Sequence, residues 1–517
     1  MMEKLTITKL NETYCRLECD DYIKVMIQKY FCFRPNNYKF MPTYRMGKWD
    51  GYVRLYDIHR NLFPTGLLFK LVKLCNDTDI SIEWKNFIST NNIDVDYNFV
   101  TDYAKNILKL KFPVRDYQID GVLKGLKEKH CILLSPTGTG KSLIIYILTR
   151  LILKYNKHFR ILIVVPTLSL IDQMVGDFCD YAFDTGLDFN LLCQKIYSGH
   201  TKDISKQIVV STYQSLQNMK SDYFKQFDAI LVDECHTGSL KGNSNNRIVM
   251  NCINAVYKIG FSGTVQDNIE NIYSLYSAFG QIYKLTNTSN EIKRGNLSEI
   301  KIVQYFLHYT KEDTREFFNK VNESKLFGDN ITATYQTEIE WLNSKEYKRN
   351  FITSICKKLN NNALILFKRN EQFGEKLYNH LCKKLGHRKM VFYVVGETDK
   401  DIRNEVRKIC EKQDNCIIVA NYRVFSTGIN IKNLHYVIFG ESVKSKITTL
   451  QSIGRSLRLS SNKECAYIID IADYLEDSEG NTNMTFKHAF DRRDIYEKEN
   501  FKITTKDINC KDYIEQV

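Results

Sequence analysis

The sequence predicts an α/β protein: two parallel sheets with crossover helices, one after the other, preceded by a small α+β module over residues 1–95. Three observations carry that expectation. An apolar strand, a glycine-rich loop and a helical run follow one another in CILLSPTGTGKS, residues 131–142. In the second half, ALILF (363–367), KMVFYVV (389–395), CIIVA (416–420) and YVIFG (436–440) are short β-rich runs. Polar segments long enough for helices separate them, which is the alternation of a parallel sheet. The front of the chain reads differently: YRMGKWDGYVRLYD (44–57) and NLFPTGL (61–67) mix glycine turns, aromatics and basic residues in strand-like alternation.

A chain of 517 residues suggests about three domains at roughly 150 residues each. Residues 1–95, 96–284 and 285–517 are the expected divisions, with 285–300 a polar linker and 310–346 charged and helical. Hydrophobic residues make up 43% and charged residues 26%, an ordinary globular balance with enough material for several cores. No stretch reaches the ~20 apolar residues of a membrane span. The opening MMEKLTITKL lacks a continuous apolar core, so no signal peptide is expected. Fifteen cysteines stand singly with no CxxC pair, the pattern of reduced thiols rather than of a disulfide framework or zinc site.

The formal charge is +13, and it is unevenly placed. Residues 1–100 hold 14 basic and 12 acidic side chains, and residues 441–517 hold 12 and 14. The excess therefore lies between 101 and 440, together with the glycine loop, and a polyanion such as nucleic acid is the implied partner.

The loop SPTGTGKS (135–142) is suited to phosphate. Backbone N–H groups of Pro136-Thr137-Gly138-Thr139-Gly140 and the turn that follows can cradle oxygens; Pro136 itself has no N–H to give. Lys141 adds a point charge for the outer phosphates, and Ser142 can ligate Mg²⁺. A phosphate loop calls for acids at the end of a second buried strand, and AILVDECH (229–236) provides them. Asp233 is placed to hold the metal, and Glu234 is the candidate base that deprotonates water. His236 is a candidate link to a neighbouring segment.

SPTGTGKS followed by DECH resembles motifs I and II of superfamily 2 helicases and translocases, and further motifs appear in order. The resemblance implies two tandem RecA-like motor domains using ATP and Mg²⁺. FPVRDYQ (112–118) is similar to the adenine-reading segment, which gives Gln118 the base edge and Arg115 a supporting role. VVPTLSLIDQ (164–173) and VVSTYQSL (209–216) resemble the strand-end elements that hold phosphodiester oxygens, through Pro166, Thr167, Ser211 and Thr212. FSGT (261–264) resembles the coupling motif, with Ser262 and Thr264. VFSTGINI (424–431) resembles motif V, which assigns nucleotide contacts to Gly428 and Asn430, although the family commonly has Asp at the latter. QSIGRSLR (451–458) matches motif VI, where Gln451, Arg455 and Arg458 serve catalysis; the two arginines fall three apart on a helix and share a face. An arginine of this kind is worth ~10³ to 10⁵ in rate in other nucleotide hydrolases.

The front module, VFSTGINIKNLHYV and VKSKITTLQSIGR together resemble the recombination helicases of T-even bacteriophages, over essentially the whole chain. This resemblance implies ATP-driven remodelling of branched DNA and of RNA–DNA hybrids by a monomer. It also implies action in the cytoplasm of the infected cell, alongside phage recombination or single-strand-binding proteins. An RNA helicase and a duplex translocase that does not part strands are the alternatives. Arg45, Lys48, Arg54 and Trp49 of the module, with Lys444 and Lys446 before motif VI, are the candidate DNA contacts. ECAYIIDIA (464–472) reads as the last strand of the second sheet, and HAFDRRDIYEKENF (488–501) as an amphipathic helix packed against it.

Overall fold

The structure is a computed structural model that describes residues 3–87, 93–197, 203–237, 245–265, 268–326, 331–422, 424, 431, 433–456 and 465–513. The chain divides into two compact units, Met1–Pro136 with Gly140–Thr286, and Asn287–Val517 with Thr137–Thr139.

The first unit opens with strands β1 (Lys4–Lys9) and β2 (Tyr14–Glu18). A short antiparallel ribbon follows, β3 (Cys32–Phe33) and β4 (Val53–Arg54), and then β5 (Leu62–Pro64) and β6 (Ser81–Lys85). The module's sheet runs β5-β2-β1-β6, antiparallel except where β6 lies parallel to β1. Leu5, Ile7, Cys15 and Leu17 alternate inward from β1 and β2 onto Ile23, Ile27, Phe31 and Leu71, the period-2 signature of a sheet with one wet face. The strand-like alternation expected over 44–57 is confined to β4. Pro42–Arg45 is a helical turn, and Gly47 and Gly51 take φ of 68° and 84°, which bend the segment out of any extended strand.

The first motor sheet is built from β7 (His130–Leu134), β8 (Ile161–Val165), β9 (Cys193–Ile196), β10 (Ile208–Thr212), β11 (Ala229–Val232), β12 (Tyr257–Ser262) and β13 (Gln281–Lys284). Its order is β13-β7-β12-β11-β8-β10-β9, and every pairing is parallel. Helices cover both faces, so central strands such as ILIVV of β8 are buried at every residue. The helix Lys141–Tyr155 buries Leu143 through Thr149 without interruption, which explains why its apolar residues are not restricted to one stripe.

The second unit repeats the plan. Its strands are β14 (Glu299–His308), β15 (Ala363–Phe367), β16 (Met390–Val394), β17 (Cys416–Asn421), β18 (Tyr436–Phe439), β19 (Cys465–Tyr474) and β20 (Lys502–Asn509). They lie in the order β16-β17-β15-β18-β19-β14-β20, again all parallel. The fold is thus two tandem RecA-like domains preceded by an α+β module. The expected polar linker contains a short helix, Thr288–Lys293, and the charged region forms the helices Lys311–Leu326 and Ile331–Ser344. β19 is not the last strand, as the sequence suggested. After the helix Met484–Lys498 the chain returns as β20, whose KITTKDIN leaves no residue fully buried. An edge strand this polar carries no hydrophobic signal.

Candidate functional site

In a parallel sheet all carboxyl ends lie along one edge, and ligands bind there. The phosphate loop leaves β7, the acidic pair leaves β11, and the coupling motif ends β12, which lies between those two strands. Motifs far apart in sequence therefore become neighbours: Ser135 N–H donates to Ser262 O at 3.0 Å, and Asp233 N–H to Val164 O at 2.9 Å.

Gly138 and Gly140 hold φ of 87° and 79°, conformations that turn successive N–H groups into a concave anion site. At Gly140 a Cβ would lie 2.6 Å from Gln118 Nε2. Gln118 is itself fixed, since Oε1 accepts from Arg115 N–H at 3.0 Å, while the Arg115 guanidinium donates to Tyr117 OH at 2.9 Å. The segment expected to read the adenine edge thus packs directly on the phosphate loop.

The Lys141 ammonium lies 3.4 Å from Ser135 O and 3.7 Å from Glu234 Oε1. The candidate phosphate-binding cation and the candidate base therefore share one space. Glu234 has φ of 49°, a left-handed conformation that costs a non-glycine residue about 1–3 kcal/mol. Its N–H is bonded to Asp233 Oδ1 at 3.0 Å. Burial first, and then the charge of Glu234, pushes the Asp233 carboxyl up to about 6, with Lys141 pulling the other way. The buried His236 connects the acids to the next strand: its Nδ1 lies 3.2 Å from Glu234 Oε2 and shares a 2.8 Å hydrogen bond with Ser262 Oγ. Ser262 Oγ in turn donates to Thr264 O at 2.6 Å. One residue the sequence did not indicate enters here. Tyr181, from the helix Leu168–Ala182, brings its hydroxyl within 2.9 Å of Ser142 Oγ.

Among the described residues, no group of three or more His, Cys, Asp or Glu could hold a metal. One carboxylate and one hydroxyl, Asp233 and Ser142, nevertheless suit Mg²⁺, which keeps several waters and takes its remaining oxygens from phosphate. Zinc or calcium would need a richer donor set.

The expected nucleic-acid contacts divide. Pro166 and Thr167 are half-buried after β8, with Thr167 Oγ1 sharing a 3.1 Å hydrogen bond with Ser169 Oγ. Ser211 and Thr212 are buried. The Ser211 hydroxyl donates to Ile196 O at 3.1 Å, and Thr212 Oγ1 accepts from Ser215 N–H at 3.3 Å. Both hydroxyls are hydrogen-bonded within the protein, at the strand end where the sequence suggests phosphodiester contacts. Arg45, Lys48 and Lys444 are exposed and Trp49 is half-buried, its indole N–H donating to Tyr52 O at 2.8 Å. Arg54 is paired with Asp50, whose carboxyl it holds down at about 2. Gln451 and Arg455 lie on the helix Lys446–Ser456, but their side chains and that of Lys446 fall outside the described residues, as do Gly428, Asn430 and Arg458.

A phosphate loop, an acidic pair and a coupling serine on adjacent strands of the first of two RecA-like domains define a superfamily 2 nucleotide-driven motor. Residues 111–267 match the family of the type III restriction enzyme res subunit, residues 347–460 the helicase conserved C-terminal domain, and residues 6–85 the N-terminal domain of DNA helicase UvsW. The ATP-dependent DNA helicase uvsW of Enterobacteria phage T4 is 33% identical over 96% of this chain and 98% of its own. The DNA 3'-5' translocase XPB2 of Sulfurisphaera tokodaii is 25% identical over 75% of this chain and 89% of its own. The ATP-dependent type ISP restriction-modification enzyme LlaBIII, solved bound to DNA, shares the fold at a TM-score of 0.53 and 17% identity, over 78% of this chain and 32% of its own. The chain belongs to the UvsW family of ATP-dependent DNA helicases.

Proposed function

We propose that this helicase remodels branched DNA, driving branch migration, fork regression and the unwinding of D-loops and R-loops. The observation that carries the reading is that the front module and the first motor domain are built as one body. Glu12 N–H donates to Ile253 O at 2.9 Å, and Thr13 Oγ1 donates to Met250 O at 3.1 Å. The buried Lys258 ammonium of β12 donates to Thr13 Oγ1 at 2.5 Å. At Gly66 an added Cβ would come 2.2 Å from Tyr276 O. A module seated this closely moves with the motor domain, so DNA gripped by one is held in register with the strand tracked by the other.

In the nucleotide reaction, Lys141 and the N–H groups of the loop hold the phosphates of ATP, and Glu234 accepts a proton from the attacking water. Ser142 and Asp233 would hold Mg²⁺, which when bound offsets charge building on the phosphate oxygens. His236 keeps Glu234 and Ser262 in fixed relation, a route by which the nucleotide site can bias the strand end that follows β12. The catalytic roles of Gln451, Arg455 and Arg458, and the nucleotide contacts of Gly428 and Asn430, rest on the family motifs.

The test is ATP hydrolysis and strand separation by wild type and Glu234→Gln, side by side on single-stranded DNA, duplex DNA, four-way junctions and an RNA duplex. Junction remodelling that Glu234→Gln abolishes, with ATP and DNA binding kept, is the expected result. Movement along duplex DNA without strand separation would favour the translocase reading, which the match of residues 111–267 to a restriction-enzyme subunit motivates. Unwinding of RNA alone would overturn the proposal.

A further inference from the structure

Between β3 and β4 the chain makes an excursion, residues 34–52, with its own small architecture. The ribbon at its base is seated on the motor domain, because the Phe33 ring stacks on Tyr273 at 5.9 Å. The excursion has no aliphatic core. The Arg34 guanidinium lies 4.3 Å from the Tyr52 ring centre and 5.0 Å from that of Tyr38, and Tyr38 meets Tyr44 edge-on at 4.9 Å. Gly51 is obligatory in this stack, since a Cβ there would lie 2.7 Å from the Tyr38 ring. Trp49 is tied into the same scaffold by its bond to Tyr52 O.

The apolar side chains that this scaffold presents to solvent are Phe40 and Met46, 70% and 67% exposed. Arg45 steadies Phe40, with its guanidinium 5.7 Å from the ring centre and its Nε donating to Lys39 O at 3.4 Å. Lys39, Arg45 and Lys48, all exposed, neighbour Phe40 and Met46 in sequence, and the acid of the excursion, Asp50, is neutralised by Arg54. An exposed aromatic ring with a guanidinium against it and further cations beside it in sequence suits a base pair flanked by phosphates: stacking needs a π-face, and the cations replace condensed counterions. Apolar side chains set against a base step also part it, the means by which inserted Phe or Met kinks a duplex.

We propose that Phe40 and Met46 form a wedge that abuts the base pair at a DNA branch point, with Lys39, Arg45 and Lys48 on the flanking phosphates. The proposal rests on the branched-DNA reading and gives the base contact to Phe40, with Trp49, expected as a DNA contact, a residue of the scaffold beneath.

The test uses the full chain and a four-way junction with 2-aminopurine in the branch-point pair. Wild-type binding should raise the fluorescence as that base unstacks. In Phe40→Ala/Met46→Ala the rise should vanish and junction remodelling should slow about tenfold, as expected for loss of one aromatic stacking contact. ATP hydrolysis on single-stranded DNA should stay within about twofold of wild type, since the wedge meets only the branch. Phe40→Trp, which keeps a π-face, should restore both signals. Wild-type remodelling and fluorescence in the double variant would overturn the wedge and leave the tip to a protein partner. If wild type shows Phe40-dependent fluorescence yet moves no junction, the remodelling function falls and the wedge stands.

Discussion

Gly140 sits where two requirements meet, a left-handed turn and close packing against Gln118, in the loop proposed to hold phosphate. A methyl group there must displace the glutamine or flatten the loop. Gly140→Ala should therefore raise the dissociation constant for ATP on the order of tenfold or more, the scale of 1–3 kcal/mol of backbone strain. Titration with a fluorescent ATP analogue checks this; unchanged affinity would show that Gln118 gives way freely. Gly140, Lys141, Asp233 and Glu234 were legible in the sequence because the loop and the acids follow buried strands at motif spacing. Tyr181 was not, because its meeting with Ser142 depends on a helix face 39 residues away. The internal bonds of Ser211 and Thr212 were not legible for a related reason. A hydroxyl at a strand end can serve a ligand, the next turn or both, and a sequence does not show the turn it bonds.

At the scale of elements, the helix Met484–Lys498 shows what amphipathic reading leaves out. Arg492 and Asp470 are buried, and the guanidinium reaches the carboxylate through Nε and Nη2 at 3.0 and 2.6 Å. Gln304 Nε2 and Tyr496 OH also donate to Asp470, at 3.2 and 3.0 Å. β14, β19 and the helix are thereby joined by one polar network in an otherwise apolar layer. Removing one partner of such a pair strands the other charge, at a cost of about 3–5 kcal/mol. Arg492→Ala should lower the urea midpoint of the second unit accordingly, while Arg492→Met with Asp470→Asn should recover much of the loss. Equal destabilisation by the single and double changes would show that packing rather than charge matters at this site. The parallel sheets themselves were legible from their apolar runs. This network was not, since DRRD reads as a wet helical face until the sheet behind it is known.

At the scale of the molecule, the basic excess falls between residues 101 and 440, while the front module contributes shape and a fixed mounting on the first motor domain. Cutting away residues 1–95 would uncover Tyr273, Tyr276 and Lys258, so point changes in the seam are the cleaner probe. His130, at the start of β7, reports on that seam. Burial, and then the charges of Lys258 and Lys9, push its imidazole down to about 3, and Lys129 adds to them. A hydrogen bond with the Ala255 backbone works the other way, as does the charge of Glu12, whose Oε2 lies 3.8 Å from Nε2. The unfolded chain, titrating near 6.5, binds the proton that the folded state refuses. Stability of the first unit should therefore be greatest above pH 6.5 and fall as pH drops from there toward 3. His130→Gln lacks the titrating ring and should lose much less between pH 7 and pH 5. Urea unfolding of wild type and variant at the two pH values measures the difference directly, because the carboxylates common to both cancel. Parallel losses in the two proteins would mean that the seam opens to water around His130, and that the module is held less rigidly than its hydrogen bonds to β12 and to residues 250–253 imply.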